Sequence, residues 1–210
     1  MINKISINEH SSIRIDNGKV IYFDPFRIKK ETHDADIIFV THSHFDHYSI
    51  EDINKVIKDE TVLVFPLTME KDDKEYTSKY HVEFMRPNEK MVINSIIVES
   101  VHSYNVNKPM HPKSNGWLGY IITLDGTRIY VCGDTDLNDD ILKIDCDIIL
   151  VPVGGTYTMN ALEAADLVNE IKPKIAIPTH DGTLVGEEKF GDEFASYVDK
   201  KIKVIKKIKF

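Results

Sequence analysis

The sequence predicts an α/β chain in which a β-rich unit occurs twice and two sheets pack together. Three observations predict it. Two hairpins of the same plan occur about a hundred residues apart, each is followed by a short continuous Ile/Val run, and helical periodicities fill the intervals between them.

The first hairpin runs from Ile13 to Pro25, with a turn at Asp16-Asn17-Gly18 and the strand Lys19-Val20-Ile21-Tyr22-Phe23 ending in Asp24. The second runs from Tyr120 to Asp134, with Asp125-Gly126 between Ile121-Ile122-Thr123-Leu124 and Arg128-Ile129-Tyr130-Val131. Asn-Gly or Asp-Gly between β-rich runs is a hairpin signal, because the turn needs positive φ. Within the segments that follow, Ala35–Val40 and Cys146–Val151, the runs Ile37–Val40 and Ile148–Val151 are apolar at successive positions, as strands covered on both faces are. Two copies are too few for a solenoid.

Helices are expected at Ser49–Lys58, where Ile50, Ile53, Val56 and Ile57 share a face, and at Asn160–Ile171. In the latter, Asn160 and Glu163 can form a capping pair and Pro173 stops the helix. Met69–Tyr80 is a third, highly charged helix candidate, and Lys200–Phe210 reads as an amphipathic terminal strand. No linker or low-complexity stretch interrupts the chain, so residues 1–210 are expected to form one domain.

A net charge of −8 over 210 residues disfavours a partner recognised by broad positive potential, so no nucleic-acid partner is expected. The absence of a secretory h-region or a run of transmembrane length predicts a cytoplasmic protein without a membrane partner. Cys132 and Cys146 are then reduced thiols, and Cys132, ending an apolar run, reads as a small buried hydrophobe.

The chemistry concentrates at residues 42–47. His42 and His44 follow an apolar strand at i, i+2 spacing, which projects both to one side, and Asp46 and His47 come at the next turn. Imidazole and carboxylate are ligands for zinc and neighbouring first-row metals. A solvated His-rich loop would explain the polarity, but not the position at a strand end. His102, Asp134 and His180 also follow apolar runs. Each alone would be an ordinary loop residue; together they form a donor set at successive strand ends, where α/β architectures place their sites.

This pattern resembles the metallo-β-lactamase superfamily, on the His-x-His-x-Asp-His string at 42–47 followed by His102, Asp134 and His180 in order. More narrowly, Pro152–Met159, the Glu/Ala-rich helix and Ile177–His180 resemble ascorbate-6-phosphate lactonase and its relatives. The resemblance implies a four-layer αββα sandwich of two mixed sheets with outer helices. It also implies two divalent cations, zinc first, with manganese or iron as alternatives. One would be held by His42, His44 and His102, the other by Asp46, His47 and His180, with Asp134 bridging. Asp24 would orient a ligand histidine from outside, although a strand-ending turn residue explains it equally well. Redox di-iron members carry an acidic residue where His44 stands, so His44 favours hydrolysis.

The expected reaction is hydrolysis of a small, anionic substrate by a metal-bridging hydroxide, with lactone opening favoured. Asp46 and Asp134 would be the catalytic carboxylates, Asp46 orienting the nucleophile. A phosphodiesterase is the alternative enzyme, and a metal-dependent sensor without turnover is the alternative class. A nuclease is disfavoured by the lack of a basic stripe. For substrate contacts the candidates are Lys108 and His111 in the 103–116 loop, with His111 also a candidate general acid. Gly155 and Tyr157 are the others, since paired glycines before a helix allow close backbone approach. Incidental loop cations and a tight strand-to-helix turn are the plainer explanations. Trp117 reads as core. Oligomeric state stays open, a homo-oligomer included.

Overall fold

The computed structural model describes residues 1–71, 74–182 and 184–208, and the chain divides into two compact units, Met1–Arg86 and Pro87–Phe210. Each contains one mixed β-sheet.

The N-terminal unit holds six strands in sequence order: β1 (Ile5–Glu9), β2 (Ser12–Asp16), β3 (Val20–Phe23), β4 (Ile37–Phe39), β5 (Val62–Pro66) and β6 (His81–Met85). The first two pairings are antiparallel and the last three parallel. The continuous apolar runs of β4 and β5 are buried at every position. Helix α1 (Ile50–Val56) begins where the Ser49 hydroxyl accepts from the Asp52 amide, and packs Ile53 and Val56 against Ile38, Leu63 and Phe65. Burying each of these side chains is worth about 2 kcal/mol. The helix is shorter than its periodicity suggests: Ile50 faces solvent and Ile57 is already extended. The charged stretch expected to be helical from Met69 to Tyr80 forms a 3-10 turn at Leu67–Met69 and a short α2 (Lys74–Thr77), with Asp72 and Asp73 outside the described residues. Among the described residues there, Met69 and Tyr76 are buried in the core and Tyr80 packs at its edge, too few for a continuous helix face.

The C-terminal unit orders β7 (Lys90–Ile93), β8 (Ile96–His102), β9 (Leu118–Leu124), β10 (Thr127–Val131), β11 (Ile148–Pro152), β12 (Ile175–Thr179) and β13 (Lys203–Val204). Three antiparallel pairings precede three parallel ones. Asp125 and Gly126 both take positive φ at the β9–β10 turn, as the sequence requires. Helix α3 (Ala161–Ile171) starts with a complete Asn160–Glu163 capping box and ends on a left-handed Lys172 before Pro173. It buries Ala164, Ala165, Leu167 and Val168 with Ile149 and Val151 of β11 and Phe194 of α4 (Phe190–Tyr197). The expected terminal strand from Lys200 contributes two residues to the sheet; Lys209 and Phe210 lie outside the described residues. Cys132 and Cys146 are both buried, and burial pushes the Cys146 thiol up to about 12. No helix among the described residues is long and apolar enough to cross a membrane.

The duplication is visible in the pairing pattern. Aligned on their hairpins, β1–β6 correspond to β8–β13, and β7 is an added edge strand. By this correspondence, His10, directly after β1, is the counterpart of His102 at the end of β8.

Candidate functional site

In the N-terminal unit the buried Asp24 organises the histidine string. It leaves β3 in a left-handed conformation (φ 46°) and accepts hydrogen bonds from the Thr41 amide (2.7 Å), the Thr41 hydroxyl (2.7 Å) and Nδ1 of His47 (2.7 Å). Burial pushes the carboxyl above its ordinary value, while His47 and Thr41 pull it down. With Nδ1 committed to a carboxylate, His47 keeps Nε2 as its lone-pair nitrogen, the tautomer a metal ligand needs. The Thr41 hydroxyl also lies 3.0 Å from Nδ1 of His42. His42 lies tilted against the His47 ring, centroids 4.0 Å apart, and meets His44 edge-on at 4.8 Å, so the three imidazoles are grouped.

The segment after Asp24 is held independently. Asp52 accepts the amides of Arg27 (2.8 Å) and Ile28 (2.9 Å), and the Ser49 hydroxyl donates to it (2.8 Å). The buried His10, itself left-handed (φ 56°), brings Nε2 to 3.1 Å from Asp46 Oδ2. Ligand atoms of His10, Asp46 and His47 all lie within 4.8 Å of one another, a spacing that can hold a cation.

In the C-terminal unit, Asp134 is a buried carboxylate. Its Oδ2 lies 3.2 Å from Nε2 of His180 and 3.4 Å from Nε2 of His111. His180 is left-handed (φ 59°), and a Cβ on Gly154 would stand 2.4 Å from its carbonyl oxygen. Glycine at 154 therefore makes room for His180. Gly155 (φ 78°) closes the same turn, its amide donating to Met159 at 3.0 Å. His102 ends β8 with Nδ1 enclosed and without a hydrogen-bond partner among the described residues. Burial, assisted by Lys113, lowers its pKa. An imidazole with an enclosed, unsatisfied nitrogen, together with grouped imidazoles and carboxylates, fits a metal ion.

The 103–116 loop is pinned. The Ser103 hydroxyl donates to the Asp134 carbonyl (3.0 Å), Asp136 accepts the Val106 amide (3.0 Å), and Asn105 donates to the Tyr157 carbonyl (2.8 Å). Lys108 is engaged by Asp136 and by the Thr158 carbonyl (2.9 Å), and Lys113 pairs with Asp140 (2.6 Å). His111 is buried, with Nδ1 3.1 Å from Asn105 Oδ1 and its ring edge-on to the buried Trp117 at 5.2 Å. Lys108 and His111 thus tie the loop to its own unit, while Tyr157 stays exposed.

Sequence reasoning missed His10, Thr41, Asp52, Asn105 and Asp136. Only His10 had a usable signal: it follows β1 as His102 follows β8, which becomes visible once the two units are aligned.

A family model for a beta-lactamase superfamily domain matches residues 4–180. A UPF0173 metal-dependent hydrolase of Thermoplasma acidophilum is 32% identical over 86% of this chain and 84% of its own. Another from Archaeoglobus fulgidus is 30% identical over 94% and 91%. A crystal structure of a Parabacteroides distasonis protein superposes with a TM-score of 0.81 at 29% identity, covering 97% of this chain and 91% of that one. The chain belongs to the metallo-β-lactamase superfamily, within its UPF0173 family of metal-dependent hydrolases. It is accordingly a metal-dependent hydrolase with a His/Asp cluster able to bind metal.

Proposed function

We propose that this hydrolase opens a small lactone, using two divalent cations with zinc as the first choice. The residues proposed to hold them are His42, His44, Asp46 and His47 from one unit and His102, Asp134 and His180 from the other. The observation that supports the reading best is the Asp24–His47 pair at 2.7 Å: a buried carboxylate sets an imidazole tautomer for a task other than packing. When bound, such cations supply Lewis acidity and bring a coordinated water's pKa to about 7.

The chain's own residues do the rest. Asp46, partly exposed beside the histidines, accepts a hydrogen bond from the attacking water and aims it. Asp134 holds His180 and His111 through one oxygen. Tyr157 is the exposed donor available to the leaving oxygen. Lys108 and Lys113 of the loop are already ion-paired, so selection for an anionic substrate has no support from either. The lactone preference rests on the narrower resemblance of residues 152–159 and 177–180, and a cytoplasmic enzyme acting on small molecules accords with the composition.

The test is turnover by zinc-reconstituted protein on a lactone panel and on bis(p-nitrophenyl) phosphate. Lactone opening should disappear on chelation and return with zinc. Phosphodiester turnover without lactone opening would replace the substrate assignment. Stoichiometric metal without turnover on either panel would make the protein a sensor.

A further inference from the structure

His10 lies outside the donor string, yet it is fully buried and aimed at a member of it. We propose that His10 is a positioning residue: its Nε2–H holds the Asp46 carboxylate in the orientation in which Asp46 serves the metal. The inference rests on the metal-dependent reading of Asp46.

Three observations carry it. Nε2 of His10 lies 3.1 Å from Asp46 Oδ2, and a carboxylate only accepts, so the proton sits on Nε2. The backbone at His10 is left-handed (φ 56°), an unfavourable conformation for a non-glycine residue that surrounding structure must hold in place. The ring is further fixed edge-on to His47 at 5.9 Å and tilted on Phe26 at 6.5 Å. Asp46, by contrast, stands in a loop with its side chain partly exposed and the exposed Phe45 beside it. A buried ring packed against His47 and Phe26 and hydrogen-bonded to Asp46 orients that carboxylate before a cation arrives.

The duplication places a histidine at the same point of both units: His10 occupies after β1 the place His102 occupies at the end of β8. In the tight turn His10–Ser11 the imidazole reaches Asp46 through Nε2 and so acts through a carboxylate.

The experiment compares His10→Asn and His10→Gln with the unaltered protein, using zinc alone competed against a chromophoric chelator, and cobalt(II) absorption for the ligand set. Asn tolerates the left-handed backbone but is too short to reach Asp46; Gln is long enough to donate an amide N–H to it. His10→Asn should weaken one zinc equivalent 10- to 100-fold with stoichiometry and cobalt spectrum retained, and His10→Gln should recover most of the loss. Folding is checked by thermal unfolding of both variants. Unchanged zinc affinity in a folded His10→Asn protein would overturn the proposal. Loss of a full equivalent and an altered cobalt spectrum in both variants would also overturn it, by making His10 a ligand. If the unaltered protein took up no zinc or cobalt, the metal reading itself would fall, and His10 with it.

Discussion

The two units solve the same problem differently at the same place in the sheet. Between β1 and β2 the N-terminal unit makes the tight turn His10–Ser11, whereas between β8 and β9 the C-terminal unit inserts residues 103–117. Orientation of the donors follows that difference. In the N-terminal unit it comes from a buried carboxylate: Asp24 gathers Thr41 and His47, and Thr41 reaches His42. In the C-terminal unit it comes from the backbone and the inserted loop: Gly154 leaves room for the His180 carbonyl, and Ser103, Asn105 and Asp136 tie the loop down. His47 is fixed by a hydrogen bond, His102 by its strand and surroundings. Similar donors can be pre-set by polar satisfaction or by shape.

The comparison breaks most visibly if Asp24→Ala is harmless. Removing the carboxylate leaves the Thr41 amide and His47 Nδ1 buried without their acceptor, which should cost about 3 kcal/mol of stability. It should also weaken zinc binding 10- to 100-fold. His102→Ala, which disrupts no protein hydrogen bond seen at Nδ1, should lose metal while changing stability by less than about 1 kcal/mol. Chemical denaturation and zinc titration of both variants decide it; equal destabilisation would remove the distinction between the units.

A smaller effect probes shape. Gly154→Ala places a methyl against the His180 carbonyl and should cost about 2 kcal/mol as overpacking, with loss of zinc affinity. Gly18→Ala is the control: no atom lies within 4 Å of the added methyl, although its φ of 81° is itself unfavourable for alanine. If both variants kept full zinc affinity, the close approach at Gly154 would have no bearing on His180. The smallest effect concerns the inserted loop. Lys108→Met leaves the buried Asp136 without its cation and should cost about 1 kcal/mol, discounted because Lys108 is partly exposed. Limited proteolysis should then cut within residues 103–117 sooner than in the unaltered protein; unchanged cleavage would mean that the amide and side-chain bonds of Asn105 and Asp136 hold the loop alone.

Much of this was legible beforehand because it is local. The Asp-Gly turn, the Asn160–Glu163 capping box and the buried runs of β4 and β11 each arise from neighbours in the chain, and each formed where expected. The charged stretch at 69–80 failed as a helix because propensity had too few apolar anchors behind it, and the terminal strand shrank to Lys203–Val204. Residue type and loop position make Lys108 and His111 candidates for substrate contact, while their partners, Asp136 and Asn105, are identified only by folding.

By itself, the sequence determined the chemistry available: the His-x-His-x-Asp-His string, three further donors at strand ends, and a duplicated hairpin plan. Those depend on residue type and short spacing, which the chain states directly. Tertiary structure alone decided which side chains act through others, since these contacts join residues far apart in sequence. Asp24 meets His47 across 23 positions and His10 meets Asp46 across 36. Whether a carboxylate is a ligand or a histidine's support is a matter of ångström-scale placement, and no spacing rule along the chain encodes it.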